Sequence, residues 1–131
     1  MGLATDELLI TADTIVYIDG EVLGKPSTPQ EAEEMLRKLS GKWHQVITGV
    51  VLCTKERRHS FAVTTRVKFA ELTEKEIEYY VKKYTPLDKA GAYGIQEWIG
   101  YIGVERIEGS YFNVVGLPVQ RLYQELKQFV E

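Results

Sequence analysis

At 131 residues, with 44% hydrophobic and 27% charged side chains, the chain suits one domain, residues 1–131, able to bury a core without disulfide or metal staples. A net charge of −3 argues against a nucleic-acid polymer as partner, because such binders concentrate positive charge. No run approaches the roughly 18 apolar residues of a membrane span, so no membrane partner is expected, and a lone Cys53 without a signal-peptide pattern points to a reducing cytoplasm.

Leu8 to Ile18 is rich in β-branched residues and ends at Asp19-Gly20. Asp-Gly between apolar runs predicts a hairpin, since a type I′ turn needs positive φ at both central residues. Glu21 to Gly24 then returns antiparallel. Thr28-Pro29-Gln30-Glu31 predicts a helix start: Thr28 caps, Pro29 takes the first helical position and Glu31 completes a capping box. Ala32, Met35, Leu36 and Leu39 make one apolar stripe, and Ser40-Gly41 ends the helix. Trp43 to Cys53 and Ser60 to Ala70 predict two strands. The second carries Phe61, Val63, Val67 and Phe69 on one face and Arg66 and Lys68 on the other. The charged Lys55-Glu56-Arg57-Arg58 tip between them reads as a solvated turn. Thr73-Glu74-Lys75-Glu76 repeats the capping-box pattern, with Ile77, Tyr80, Val81 and Tyr84 as a second stripe closed by Thr85-Pro86. A glycine-rich connection through Gly91 and Gly94 leads to a short apolar strand expected over Trp98 to Val104. Leu117-Pro118 opens a last helix striped by Val119, Leu122, Leu126 and Phe129. Helices interspersed with hairpins place the chain in the α/β class, as a mixed, twisted sheet flanked by helices.

Two segments could carry chemistry. Asp13 is an acid within the apolar run Leu9 to Val16. Burying a carboxylate alone costs on the order of several kcal/mol, so it needs a metal, a lysine or backbone donors, unless it faces water at an edge. Lys25 stands in a Gly24-Lys25-Pro26 corner, where glycine permits close approach and proline stiffens the turn; it is either an ordinary turn lysine or a point charge for a phosphate. In Pro86 to Gln96, Asp88 and Lys89 precede small residues that let a ligand near the backbone, without the Gly-Lys-Ser/Thr ending of a Walker loop. Gln96 carries both a donor and an acceptor, so it either reads the edge of a uracil or thymine ring or is a plain surface residue. Arg106 offers a phosphate contact or an exposed ion pair. His44 and His59 lack partners at metal-ligand spacing and read as strand or loop residues.

Taken in order, these segments resemble the Maf family of nucleoside triphosphate pyrophosphatases, also described as septum-formation inhibitor proteins. The matching stretches are Ile10 to Val16, Gly20 to Pro26, Leu39-Ser40-Gly41, Val46 to Val50, Pro86 to Gln96, and Glu105 to Tyr111 with Asn113 to Pro118. The resemblance implies a Maf/ITPase-like fold that hydrolyses a nucleoside triphosphate to the monophosphate and pyrophosphate with a divalent cation, Mg²⁺ or Mn²⁺. Asp13 falls on the family's catalytic Asp, the expected proton acceptor or metal ligand, and Lys25 on the lysine of the family's Gly-Lys-Pro. Thr14 and Gln96 fall on positions that distinguish a subgroup acting on dTTP and UTP; a sister subgroup has Glu where Gln96 stands. A neutral amide suits the neutral edge of a pyrimidine, and a carboxylate suits a cationic methylated guanine. Lys89 is expected to offset charge on the phosphates.

Members of the family begin with a strand and a phosphate-binding loop of the Ser-x-Ser-Pro-Arg-Arg type, followed by a glutamate. This sequence opens just before the Asp13 strand. The resemblance therefore implies an N-terminally truncated form with impaired turnover and a sheet neighbour left unpaired. Such an edge favours association, and a homodimer is expected. The rival reading is a non-catalytic nucleotide-binding or interaction module of the same descent.

Overall fold

The computed structural model describes residues 7–130. In chain order the elements are β1 (Leu9–Ile18), β2 (Glu21–Leu23), α1 (Pro29–Leu39), β3 (Trp43–Cys53), β4 (Arg58–Phe69), α2 (Glu74–Tyr84), a 3₁₀ turn (Ala90–Ala92), α3 (Trp98–Gly103), β5 (Val104–Glu108), α4 (Tyr111–Val115) and α5 (Val119–Val130).

Local chemistry sets most of these boundaries. Asp19 and Gly20 both have positive φ, 49° and 80°, and fold β2 back onto β1. Thr28 caps α1 by accepting from the Glu31 N–H. At α2 both halves of a capping box form, Thr73 Oγ1 accepting from Glu76 N–H and Glu76 from Thr73 N–H. Thr85 ends α2 in the left-handed region directly before Pro86. At the β3–β4 tip, Thr54 N–H donates to the Arg57 carbonyl at 2.8 Å.

The strands assemble in the order β2-β1-β3-β4-β5, and every pairing among the described residues is antiparallel. The α/β layering agrees with the sequence reading; the mixed sheet expected there is instead antiparallel, because no connection in the described chain returns a strand parallel to its neighbour. A second difference lies at Trp98 to Val104, expected as a strand. Trp98–Gly103 is a helix and the strand follows it at Val104–Glu108. Alternation cannot separate the two over so short an apolar run. Helical geometry buries Ile99 completely and leaves Tyr101 80% exposed.

Along β3, His44, Val46, Thr48, Val50 and Leu52 are buried, and their cross-strand partners Val16, Thr65 and Val67 are buried with them. This face meets Ala32, Leu36 and Leu39 of α1 and Ile77, Tyr80 and Val81 of α2 in one core. At the hairpin end, Leu122 and Phe129 of α5 cover Val50 and Leu52. Arg57 lies over the Phe129 ring at 4.4 Å and Arg121 over Phe61 at 5.2 Å, two cation–π contacts that tie α5 to the charged tip and to β4. Val119, placed in the apolar stripe by its spacing, is exposed. The helices thus share one face of the sheet. The other face presents Thr11, Asp13, Tyr17, Ala62, Thr64 and Arg66 outward.

Beneath the sheet's inner face, His44 is enclosed by Phe69 and Tyr93, edge-to-face with both, and its Nε2 lies 2.7 Å from the Tyr93 hydroxyl. Burial lowers its pKa from 6.5 to about 4. The unfolded chain therefore takes up a proton between those values that the folded chain refuses. His44's contribution to stability is complete above about pH 6.5 and is lost as pH falls toward 4, amounting to about 2 kcal/mol between pH 7.5 and pH 5. Urea unfolding at the two pH values, alongside an NMR titration of the His44 ring, measures it. A ring that charges near pH 6.5 in the folded protein would contradict this account.

Candidate active site

β2 pairs only with Val16, Tyr17 and Ile18, so the edge of β1 from Leu9 to Ile15 is uncovered among the described residues. Ala12, Asp13 and Thr14 from this stretch line a cavity of about 530 Å³, a size usual for small-molecule sites. The rest of its wall comes from Lys25, from Asp88, Lys89 and the Tyr93 to Glu97 segment, and from Val114 to Gly116 at the end of α4. Asp13, Thr14, Lys25, Lys89 and Gln96 therefore share one cavity. Arg106 does not: it stands on β5, 3.7 Å from Glu108.

Of the two readings open for Asp13, burial beside a partner or exposure at an edge, the structure has the second. The residue is exposed and, by strand alternation, belongs to the outward face opposite Gly49. It lines the cavity all the same, on the edge of β1 that β2 leaves uncovered. Among the described residues neither Asp13 nor Lys25 takes part in an ion pair. Both charges are available to a ligand.

Gly91 brings the two chemistry-bearing segments together. Its N–H donates to the Gly24 carbonyl at 3.1 Å, which joins the Gly-Lys-Pro corner to the glycine-rich segment. Its φ is 69°, and a Cβ there would come within 2.7 Å of Val16 Cγ2. Only glycine allows both the conformation and the approach. At Gly94 the open space is taken up by Lys89 and Glu97, whose Cε and Oε1 atoms would stand 2.8 and 2.9 Å from an added Cβ. Lys89 also reaches Asp88 at 3.3 Å, and that hydrogen bond holds the Asp88 carboxyl below its usual range.

Sequence reasoning missed a strut beneath this segment. The Tyr80 hydroxyl, on α2, donates to Glu97 Oε1 at 2.5 Å and accepts from the Gly94 N–H at 3.1 Å. Burial, with the Glu97 carboxylate beside it, pushes the phenol above its ordinary pKa. The helical stripe marks Tyr80 as a core residue but carries no sign of its polar tip. A second missed group sits behind Thr14, whose Oγ1 lies 2.9 Å from Thr48 Oγ1 and 3.5 Å from the Gly116 carbonyl. Thr48 faces Thr14 directly across the β1–β3 pair, which only the register reveals.

Three carboxylates (Asp13, Asp88, Glu97) and two ammonium groups (Lys25, Lys89) line the cavity. Among the described residues no three His, Cys, Asp or Glu side chains gather closely enough to hold a metal ion by themselves.

Comparison with known proteins bears on what this arrangement serves. The sequence family described as Maf-like protein matches residues 2–129. A protein of Phocaeicola vulgatus named dTTP/UTP pyrophosphatase is 65% identical over 123 residues, covering 94% of this chain and 64% of the relative. A Bacteroides fragilis protein of the same name is 66% identical with the same coverage. A third, from Parabacteroides distasonis, is 61% identical over 127 residues, 97% of this chain and 66% of the relative. The chain thus spans just under two thirds of the length of these relatives.

Gly91→Ala should cost about 2–4 kcal/mol through the positive φ and the clash with Val16, lowering the thermal midpoint. Tyr80→Phe keeps the ring and removes the strut. It should speed amide hydrogen exchange at Gly94 to Glu97 while the sheet amides keep their protection. Unchanged exchange in that segment would show that the phenol does not hold it.

Proposed function

This chain belongs to the Maf-like protein family, and we propose that it hydrolyses dTTP and UTP, and modified pyrimidine nucleotides of similar shape, to the nucleoside monophosphate and pyrophosphate. The observation that carries the reading is the meeting of Asp13, Lys25, Lys89, Thr14 and Gln96 on one cavity of about 530 Å³. Relatives bearing the name dTTP/UTP pyrophosphatase support the substrate class.

In this reading a water attacks the α-phosphorus in line, and the bond to the bridging oxygen breaks with its electron pair leaving on pyrophosphate. Asp13, exposed at the cavity wall, accepts the proton of that water. Lys25 and Lys89 place positive charge against the phosphate oxygens, where charge develops. Gln96 and Thr14 face the base.

The charge balance favours a divalent cation as a further component. Two lysines do not neutralise three carboxylates and a triphosphate together. One free carboxylate, Asp13, suits Mg²⁺ or Mn²⁺, which protein sites commonly hold through one or two carboxylates plus substrate phosphates. When bound, the cation supplies positive charge to the phosphate oxygens.

We further propose a cytoplasmic protein that forms a homodimer. No helix among the described residues is long and apolar enough to cross a membrane.

Pyrophosphate release from dTTP and UTP by the 131-residue chain, with Mg²⁺ or Mn²⁺ and with chelator, tests the reaction. Asp13→Asn should lower kcat at least 100-fold with little change in nucleotide binding. Binding without turnover, indifferent to Asp13→Asn and to chelator, would instead identify a non-catalytic nucleotide module.

A further inference from the structure

The charged tip between β3 and β4, a solvated turn by its sequence, has the end of α5 lying against it. Lys55 to Ser60 and Arg121 to Val130 carry five Lys and Arg side chains and two Glu, a local excess of positive charge in a chain whose net charge is −3. Between these segments lies a hollow of about 500 Å³ lined by Arg57, Arg58, His59, Glu125, Gln128 and Phe129. Arg121 and Lys127 line an adjoining hollow on α5. No residue of the tip hollow lines the cavity that holds Asp13.

Local bonds hold the tip in shape. Thr54 N–H donates to the Arg57 carbonyl at 2.8 Å, and Arg57 N–H donates to Thr54 Oγ1 at 3.0 Å. The Arg57 guanidinium lies over the Phe129 ring at 4.4 Å, and such stacking leaves the N–H donors at its edge free to bind. Among the described residues, neither Arg57 nor Arg58 takes part in an ion pair. The one acid of the lining is already engaged: one Glu125 oxygen accepts from Arg121 at 3.0 Å, and the other lies 3.3 Å from His59 Nε2. Phe129 is 5% exposed, so it has no ring face left on which a base could stack. The hollow therefore offers two guanidinium groups and the Gln128 amide, a set that recognises charge.

We propose that this hollow binds a pyrophosphate unit at Arg57 and Arg58, apart from the Asp13 cavity. Each guanidinium is a planar fork that takes two oxygens of one phosphoryl group. Two forks from consecutive residues match two linked phosphoryl groups, whereas a single phosphate leaves one fork unused. With no ring face to read a base, free pyrophosphate and the diphosphate of a nucleotide present the same chemistry to this site. The site is independent of the reaction proposed above; pyrophosphate, that reaction's product, is its simplest ligand.

The experiment titrates the ¹⁵N-labelled 131-residue chain with sodium pyrophosphate in the presence of chelator and follows the side-chain N–H signals of Arg57, Arg58 and Gln128 by NMR. Saturable shifts of these signals are expected, with orthophosphate binding about tenfold more weakly. Arg58→Gln removes a guanidinium that stacks on no ring among the described residues. It should weaken pyrophosphate at the tip about tenfold and leave the thermal midpoint in place, while Lys25→Gln in the other cavity should leave the tip signals as they are. UDP separates the sources: equal shifts at the three residues assign the site to a diphosphate in any ester, and shifts with pyrophosphate alone assign it to the free ion. Three results would overturn the proposal. They are silence of these signals in the folded chain at millimolar pyrophosphate, equal binding of orthophosphate, and equal shifts with sodium chloride at matched ionic strength, which would mean counter-ion attraction only.

Discussion

The buried amide of Asn113 is the contact on which the arrangement around the cavity turns. α4 has only five residues, too few to be stable as an isolated helix. Its position is set by the Ser110 cap, whose Oγ accepts from Asn113 N–H, and by the Asn113 side chain reaching the backbones of β3 and β4. A buried amide stripped of those acceptors would be destabilising by about 1–3 kcal/mol, so the helix has one seat rather than several. From that seat, Val114 to Gly116 close one wall of the cavity. The Asn113 and Gly116 carbonyls, Thr48 and Thr14 then run outward as a hydrogen-bonded line to the ligand space.

A second constraint makes the cavity itself. β2 is three residues long and leaves most of β1's edge uncovered among the described residues. The chain departs at Gly24, where its carbonyl receives the Gly91 N–H, so the corner that holds Lys25 and the segment that holds Lys89 and Gln96 are joined by one backbone bond. The close contact between Gly91 and Val16 seats that junction against the sheet. A longer second strand would cover the edge, and a residue with a side chain at position 91 would push the two segments apart. Among the described residues, the site lies where β2 stops pairing with β1 and where one glycine stands in a place no side chain fits.

Charge and hydrogen bonding divide the work within this space. The acids and lysines act over distance and respond to salt. The hydroxyl line behind Thr14 is short-ranged and directional. Tyr80 joins these two regimes: its hydroxyl holds the Glu97 carboxylate and the Gly94 amide on either side of Gln96. Asp13, Lys25 and Gln96 are exposed and Thr14 and Lys89 half-buried, whereas Tyr80, Thr48 and Asn113 behind them are fully buried.

Much of this was legible in the residues alone. The Asp19-Gly20 turn, the two Thr-capped helices and the stripes through Leu36 and Ile77 follow from local rules, because turns, caps and helical faces depend on neighbours within four residues. Asp13 and Lys25 stood out as candidates because charge in an apolar run and a lysine between glycine and proline are unusual locally, and Gln96 because its amide offers both a donor and an acceptor and the family resemblance marks its position. The exposure of Asp13, the helix at Trp98–Gly103 and the pairing of Thr14 with Thr48 were not legible. Each is decided by which strand lies alongside which, and for how long: whether β2 extends past Val16, where an apolar run finds room to pack, which residue of β3 falls opposite position 14. The sequence by itself determined the elements and the candidate chemistry, since both are encoded within a few residues. The tertiary structure alone decided burial, register and which hydroxyls meet, since these arise between segments far apart in the chain.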